Sequence, residues 1–478
     1  MGTRETNEGG HLTIGGCDVT QLAKTYGTPL FIYDDQLMRS TIRDFHKAFQ
    51  DAGLEYEITY ASKAFCTVAM CQLVYEEGCG VDVVSGGELH TALTAGVPAN
   101  RIYMHGNNKT RSELEYAVSA GIGLVIVDNF YELELLNGIA ANADKTVEVL
   151  LRMAPGVEAH THEYISTGQQ DSKFGFDYES GQAHEAIEAV TRYPNLRCVG
   201  LHSHIGSQIF ETTGFVAATE RMAGLYADGL RHGLPLRILN LGGGFGIRYT
   251  AEDDPAPPSS YASMLATTIH RLFTDKGMEA PQVWIEPGRS IAGPAGITVY
   301  TVGSQKRIEG VRNYVAIDGG MTDNPRLALY GAKYEACLAN RMEDAIAGAW
   351  SVAGKCCETG DMVIWDAPLP EPNPGDLLVV FATGAYNYSM ASHYNRIPNP
   401  AVVFVNDGKS AVVVERETWD DLVRLDKPIQ YQAFDAEHGD GSASSSSSAA
   451  TGEPRAPGES KVPGESRAPR AMATQESR

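Results

Sequence analysis

Residues 58–64, Ile-Thr-Tyr-Ala-Ser-Lys-Ala, decide the fold of this chain. They form a short apolar run that closes on Lys63, and a helix-like segment follows from Thr67 to Glu77. An amine is a useful nucleophile only when its neighbours hold it partly deprotonated, and such neighbours can converge at the end of a buried strand. Lys63 is therefore a candidate nucleophile; the alternative is a solvated cation at the start of a helix.

The same alternation of strand and helix repeats along the chain. Eight apolar runs separated by helical patterns favour a closed (β/α)8 barrel over an open sheet. The runs are 58–64, 80–85, 102–105, 124–127, 147–154, 198–203, 238–241 and 283–285. We place this barrel at residues 36–290, with a longer insertion at 155–180 that fits a lid or site loop.

The pattern changes after Gly293. β-branched runs separated by turn residues predict an antiparallel β domain at 291–434. The early strand 30–33 has no partner in a barrel that starts later, so residues 1–35 are expected to contribute a strand to this β domain. Residues 435–478 contain too few apolar side chains to offset the entropy of ordering, which predicts a disordered tail.

The composition limits the possible partners. The chain has 478 residues and a formal net charge of −22, which argues against nucleic acid and anionic membranes. No apolar run approaches the roughly 20 residues that span a bilayer. Its eight cysteines form no CxxC pair, which predicts reduced thiols and no structural zinc. The first residues lack the apolar core of a secretory signal, so we expect a cytoplasmic protein.

Polar residues follow the predicted barrel strands, at the end of the barrel where functional groups are expected. They are Lys63, Asp82 with Ser85, His105 with Asn107, His202 with His204, and Glu286 with Arg289. Together with the glycines after strand seven, they indicate a phosphate-bearing cofactor held by a lysine.

The run Gly242-Gly243-Gly244 either makes a tight turn or lets backbone N–H groups converge on a phosphate. Its position favours the phosphate, because the loops after strands seven and eight form the usual phosphate site of such barrels. Residues 287–289, Pro-Gly-Arg, then supply the other half. The run is not a GxGxxG fingerprint, so a Rossmann-type dinucleotide site is rejected.

Glu286 ends a buried run, where an unpaired carboxylate is costly. It either pairs with Arg289 or faces a pyridinium nitrogen and keeps that nitrogen protonated. His204 is either structural or stacks on a cofactor ring.

The β domain adds two candidate pairs. Cys357 could deliver a proton and Glu358 could bind an amine, the alternative being a buried structural cysteine. Arg326 with Tyr330 could clamp a carboxylate, and the alternative is a solvated arginine on a loop.

With these residues the chain resembles the fold-type III pyridoxal-phosphate decarboxylases, which include the class II ornithine, lysine and arginine decarboxylases. The resemblance runs from about residue 12 to about residue 425. The matching motifs are Tyr-Ala-Ser-Lys at 60–63, Asp-Val-Val-Ser-Gly-Gly-Glu at 82–88, Ser-Lys-Phe-Gly at 172–175, His-Ile-Gly-Ser-Gln at 204–208, Gly-Gly-Gly at 242–244, Glu-Pro-Gly-Arg at 286–289, Cys-Glu at 357–358 and Gly-Ala-Tyr at 384–386.

The resemblance implies a TIM-like (β/α)8 barrel with an alanine racemase-like β domain, and pyridoxal 5'-phosphate as the cofactor. It implies that Lys63 binds the cofactor covalently, that His204 stacks on its ring and that Glu286 pairs with the ring nitrogen. The other implied cofactor contacts are Ser207, Gly242, Gly243, Gly244, Pro287, Gly288, Arg289 and Tyr386. The implied substrate contacts are Arg289, Arg326, Tyr330, Glu358 and Tyr386. Cys357 is the implied catalytic acid.

Members of this family are usually head-to-tail dimers in which the Cys-Glu turn reaches the partner's barrel, so the resemblance implies a homodimer with shared sites. It also implies decarboxylation of meso-2,6-diaminopimelate to L-lysine, the last step of lysine biosynthesis. The alternatives are a related decarboxylase of another amino acid in secondary metabolism and a non-catalytic cofactor-binding homologue. Leu327 and Cys356 depart from the family pattern in segments that face the substrate.

Overall fold

The structure is a computed structural model that describes residues 2–157 and 172–431. The predicted tail and much of the insertion predicted at 155–180 lie outside the described residues. Met1–Arg424 forms one compact unit. Of a second unit, Leu425–Arg478, residues 425–431 are described and contain no helix or strand.

Eight parallel strands form a closed barrel, as the apolar runs predict. The last strand pairs with the first, with Val283 opposite Tyr56, and strand four pairs with strand five, with Val125 opposite Val149. Strands one to eight are Tyr56–Ala61, Gly80–Val83, Ile102–Met104, Leu124–Val127, Val147–Ala154, Leu196–Ser203, Ile238–Asn240 and Gln282–Ile285. A short strand, Phe176–Asp177, pairs parallel to the fifth.

Helices cover the outside of the barrel, and four of them begin at a side chain that caps the first turn. Thr67, Ser85, Thr110 and Asn129 each accept a hydrogen bond from the backbone N–H three residues ahead, which satisfies a donor that the first turn leaves unpaired. The helices are Val68–Glu76, Gly86–Thr94, Arg111–Ala120, Phe130–Asn142, Gln182–Val190, Thr213–Arg231, Pro258–Asp275 and the single turn Arg289–Ala292.

The helix Asp35–Ala52 precedes strand one and packs against Pro258–Asp275. Its apolar stripe, with Ile42, Phe45 and Phe49 fully buried, belongs to the barrel core. Strand eight is followed by only one helical turn, so this preceding helix completes the outer layer beside it.

The second sheet is built from both ends of the chain. Leu30–Asp34 lies between Gly296–Ile308, to which it is antiparallel, and Ala401–Asn406, to which it is parallel. The sheet is mostly antiparallel, and its parallel pairs join strands that are far apart in sequence and so need no hairpin. The remaining strands are Arg312–Ile317, Ala336–Leu338, Gly348–Ala353, Met362–Leu369, Leu377–Val380 and Lys409–Val414.

Smaller elements complete the described chain. Glu5–Thr6, Leu12–Ile14 and Cys17–Asp18 form a three-stranded sheet, and the remaining α-helices are Val19–Tyr26, Arg326–Tyr330 and Trp419–Val423. Across residues 2–157 and 172–431, none of the helices is both long enough and apolar enough to cross a membrane.

Candidate active site

All eight barrel strands run in the same direction, so their carboxyl ends lie together at one end of the barrel. A cavity of about 500 Å³ lies at this end. Barrel residues that were predicted from the sequence line this cavity together with β-domain residues. They are Lys63, His204, Ser207, Gly244, Glu286, Gly288 and Arg289 from the barrel, and Arg326, Tyr330 and Tyr386 from the β domain. The structure therefore gathers most of the predicted site residues in one place.

Lys63 lies in the 3-10 turn Ser62–Ala64, directly after strand one. Its side chain is exposed to the cavity, whereas the flanking Ser62 and Ala64 are buried. The turn is tied to the β domain, since the Tyr386 N–H donates a hydrogen bond of 2.8 Å to the Ala64 carbonyl. The backbone of the lysine is thereby fixed while its amine reaches into the open space.

Glu286, after strand eight, is buried beneath the cavity and held by three donors. His105 Nε2 lies 3.1 Å from its carboxylate, His202 Nε2 lies 3.3 Å from it, and Asn240 Nδ2 donates to it at 2.7 Å. Burial opposes its ionisation, but His105 and His202 outweigh burial and hold the pKa of Glu286 well below its usual range. Glu286 is thus an anion near pH 7, and in the described chain Arg289 is not its partner.

The two histidines beneath the cavity are themselves neutral near pH 7. Burial lowers the pKa of His202 to about 4 and also lowers that of His105. Each ring therefore acts as a neutral hydrogen-bond donor to Glu286. His105 Nε2 also lies 3.5 Å from the buried Asp82 carboxylate.

His204 and the glycine run after strand seven fit closely together. The Gly243 N–H donates to His204 Nδ1 at 3.2 Å, which places the proton of the neutral ring on Nε2. Burial and nearby Lys63 hold the pKa of His204 well below its usual range, so this neutral form prevails. A Cβ on Gly243 would lie 2.1 Å from the Glu286 carbonyl oxygen, and Gly244 has a φ of +105°.

One side of the cavity is suited to a phosphate. Arg289 Nη2 donates to the Ser207 hydroxyl at 2.8 Å, and Gly244 and Gly288 line the same cavity without side chains. A Cβ on Gly288 would lie 3.0 Å from the Cβ of Ala61. A hydroxyl and glycine backbone are groups that bind phosphate in proteins.

A pyridine cofactor also requires an anion at its ring nitrogen, and Glu286 meets this requirement. A lysine, a buried carboxylate, a neutral histidine and a phosphate-binding corner around one cavity fit pyridoxal phosphate. The nearest atoms of His105, His202 and Glu286 also lie within 4.8 Å of one another, a spacing that could accept a metal ion. Their mutual hydrogen bonds account for this spacing without one.

A pair of arginines occupies the side of the cavity nearest the β domain. Arg289 donates to the Tyr249 hydroxyl at 2.5 Å and lies over the ring of Tyr386 at 4.6 Å. Arg326 is buried and donates to the Tyr334 hydroxyl at 2.8 Å. The helix Arg326–Tyr330 thus directs its arginine inward, so the alternative of a solvated arginine does not describe this side chain.

Cys357 and Glu358 do not line this cavity. Both are exposed, and the Cys357 N–H donates to the Asn395 side chain at 2.8 Å. The neighbouring thiol of Cys356 is buried, and burial raises its pKa to about 12, so it stays protonated. Of the two adjacent thiols, Cys357 is therefore the one open to another molecule.

Several residues of the site were not singled out from the sequence. Asn240 and Arg152 could have been noticed as polar residues inside predicted strands. Arg152 lies 3.6 Å from Asp128 and 4.3 Å from the Phe174 ring, which places the 172–175 motif beside the barrel mouth. Tyr249 and Tyr334 carry no comparable signal. Conversely, Ser85 caps the helix Gly86–Thr94 and has no place in the cavity lining.

Comparison with known proteins agrees with this geometry. Residues 36–293 match the family described as "Pyridoxal-dependent decarboxylase, pyridoxal binding domain". The chain is 56% identical to the diaminopimelate decarboxylase of Halalkalibacterium halodurans, over 90% of this chain and 98% of that protein. It is 54% identical to the diaminopimelate decarboxylase of Bacillus subtilis, over 90% and 98% of the two chains.

A solved structure gives the same result. The diaminopimelate decarboxylase of M. jannaschii in complex with L-lysine matches with a TM-score of 0.83 and 34% identity, over 89% of this chain and 98% of that one. The predicted fold class, cofactor and enzyme class are confirmed. The chain belongs to the pyridoxal-dependent decarboxylases and, within them, to the diaminopimelate decarboxylases.

Proposed function

We propose that this cavity decarboxylates meso-2,6-diaminopimelate to L-lysine and carbon dioxide, with pyridoxal phosphate bound covalently by Lys63. One observation carries the proposal: a buried anion and a pair of arginines open on the same cavity as this lysine. The anion suits the cofactor ring, and the arginines suit a substrate carboxylate far from the reacting carbon.

The cofactor, when bound, supplies an electron sink that lets a carboxylate leave from the adjacent carbon. Glu286 would keep the ring nitrogen protonated, because its donors His105, His202 and Asn240 keep Glu286 ionised and in place. His204, fixed as a neutral ring by the Gly243 N–H, would stack on the cofactor ring. Ser207, the glycines at 242–244, the backbone of residues 287–289 and Tyr386 would hold the rest of the cofactor, chiefly its phosphate.

Substrate selection falls to the arginine side of the cavity. A guanidinium group offers up to five N–H donors in a planar fork that matches a carboxylate. Arg289 and Arg326, with Tyr330 and Tyr386 beside them, bind the distal carboxylate of diaminopimelate. A substrate such as ornithine lacks this carboxylate, and a site whose buried polar groups are left unpaired rejects such an analogue by about 10⁴.

A homodimer completes the site. Cys357 and Glu358 are exposed outside the cavity of their own chain, so each pair is available to a neighbouring barrel. Glu358 of the partner subunit binds the distal amine of the substrate. Cys357 of the partner subunit donates a proton from Sγ to the carbon that has lost carbon dioxide. We place this enzyme in the cytoplasm.

The test is carbon dioxide release from meso-diaminopimelate, measured beside L-lysine, L-ornithine and L-arginine with the same holoenzyme. We expect turnover of diaminopimelate with stoichiometric L-lysine, and at least about a thousandfold lower kcat/KM for the other three. Preferential turnover of ornithine or arginine would refute the proposed substrate. No turnover of any of the four by cofactor-loaded protein would refute the enzymatic function.

A further inference from the structure

We propose that Tyr249 and Tyr334 are positioning residues that hold Arg289 and Arg326 as one clamp for the distal carboxylate, and so determine substrate specificity. This inference rests on the proposed function. Neither tyrosine belongs to the predicted substrate contacts, and each meets a guanidinium group through its hydroxyl.

Tyr249 touches both arginines at once. Its hydroxyl accepts a hydrogen bond from Arg289 Nη1 at 2.5 Å, and the guanidinium carbon of Arg326 lies 4.7 Å from its ring centre. The Tyr249 side chain is buried and lines the cavity. One aromatic residue therefore sets the spacing between the two cations.

Tyr334 holds Arg326 through a hydrogen bond to its hydroxyl. Its hydroxyl accepts from Arg326 Nη1 at 2.8 Å and from Asn387 Nδ2 at 3.3 Å. Asn387 in turn donates to the Thr383 carbonyl at 2.9 Å, which ties the group to the β domain. The Tyr334 and Tyr249 rings meet edge to face at 5.6 Å, so the two holding groups also brace each other.

The chemistry of this arrangement leaves the arginines cationic and available. Within residues 2–157 and 172–431, Arg289 donates to the hydroxyls of Ser207 and Tyr249 and Arg326 to that of Tyr334, and neither makes an ion pair with a carboxylate. Burial raises the pKa of Tyr249, but Arg289 and Arg326 outweigh burial and bring it below its usual value, as expected for a phenol that faces two cations. Phenol oxygens and ring faces orient guanidinium groups without neutralising them. The charge is thereby kept for an anionic group of the substrate.

The test replaces each tyrosine by phenylalanine, which keeps the aromatic ring and removes the hydroxyl. Tyr249→Phe and Tyr334→Phe are compared with Tyr56→Phe as a matched control. Tyr56 begins barrel strand one, at the other end of the barrel, and its hydroxyl contacts His46 Nδ1 at 3.0 Å and Gln50 Nε2 at 3.1 Å. Thermal unfolding of all three holoenzymes verifies that each variant is folded.

The decisive readout is binding of L-lysine against cadaverine, measured by calorimetry on holoenzyme. L-lysine keeps the carboxylate that the arginines hold, and cadaverine lacks it. Because a hydrogen bond to a charged group is worth more than a neutral one, we expect each test variant to bind L-lysine about tenfold more weakly or worse. Cadaverine affinity changes by less than about twofold, and the control changes neither.

Steady-state kinetics with meso-diaminopimelate supply a second readout. We expect KM to rise about tenfold in the test variants while kcat stays within about threefold, since the tyrosines act on binding and not on the reacting carbon. Equal loss for L-lysine and cadaverine, or no loss for either, would overturn the inference. The proposed function fails separately, through an absence of carbon dioxide release by the wild-type protein, and the calorimetric comparison does not depend on that turnover.

Discussion

The proposed sharing of active sites between two subunits predicts a specific result when inactive variants are mixed. Lys63→Ala removes the amine that we propose binds the cofactor, and Cys357→Ala removes the proposed proton donor, which is exposed outside the cavity of its own chain. Each homodimer is expected to be nearly inactive. In a hybrid dimer one site carries both substitutions and the other carries neither, so hybrids recover activity.

The magnitude follows from the symmetry of the dimer. Random exchange between equal amounts of the two variants makes half of the dimers hybrid, and one of the two sites in each hybrid is intact. The mixture should therefore reach about one quarter of the wild-type rate. The assay is carbon dioxide release after exchange under mild denaturant, with hybrid formation followed by a tag on one variant.

The matched control mixes Lys63→Ala with Glu286→Ala. Both residues line the cavity of one chain, so every site of that hybrid lacks one of them and no activity returns. If tagged hybrids of the first mixture form and the rate stays at the level of the separate variants, Cys357 does not act on the partner's barrel. Recovery of activity in the control mixture would contradict the assignment of Lys63 and Glu286 to the same site.

Three further predictions concern buried charged and titratable groups. Glu286→Gln keeps the size of the side chain and removes its charge, and we expect kcat to fall by about a hundredfold or more with L-lysine affinity little changed. Burial lowers the pKa of His202 from its ordinary value of 6.5 to about 4 in the folded protein. Between pH 6.5 and 4 the unfolded chain therefore binds a proton at His202 that the folded protein does not bind. The free energy of unfolding of the apoprotein falls as the pH drops through this range. His202 contributes about 3 kcal/mol to this fall. In urea unfolding measured across this pH range, His202→Gln should make the fall shallower. An unchanged pH dependence in the variant would contradict the prediction. Lys109→Ala should lower the free energy of unfolding by about 3–5 kcal/mol, because the Lys109 amine is fully buried and lies 2.7 Å from the Glu132 carboxylate. As a control, Lys47→Ala removes one partner of an exposed ion pair. In the same urea titration it should lower the free energy of unfolding by less than about 1 kcal/mol.

The fold was predictable because each barrel strand is a compact apolar run followed by a helical pattern, and parallel strands bring their carboxyl ends together. That rule places Lys63, His204 and Glu286 around one cavity without further information. The extra strand 30–33 was also placed with the second sheet, since the barrel offers it no partner. Its parallel pairing with Ala401–Asn406 was not predicted, because strand order between distant segments leaves no local signal.

The partners of the site residues were harder to predict. Glu286 was expected either to pair with nearby Arg289 or to face a cofactor, and its supporting donors come instead from the carboxyl ends of strands three, six and seven. Tyr249 and Tyr334 lie in loops whose path depends on the packing of barrel against sheet. Sequence spacing carries no information about such contacts, so the arginine clamp was predicted while the groups that hold it were not.

Covalent attachment of the cofactor to Lys63 is tested most directly by borohydride reduction of the holoenzyme followed by peptide mass spectrometry. Reduction makes a lysine–cofactor bond permanent, so the modified peptide identifies the lysine. We predict that the phosphopyridoxyl mass appears on the peptide containing Lys63 and is absent from the Lys63→Ala variant. The same mass on another lysine, or unmodified Lys63 in protein that shows bound cofactor, would contradict the proposed site.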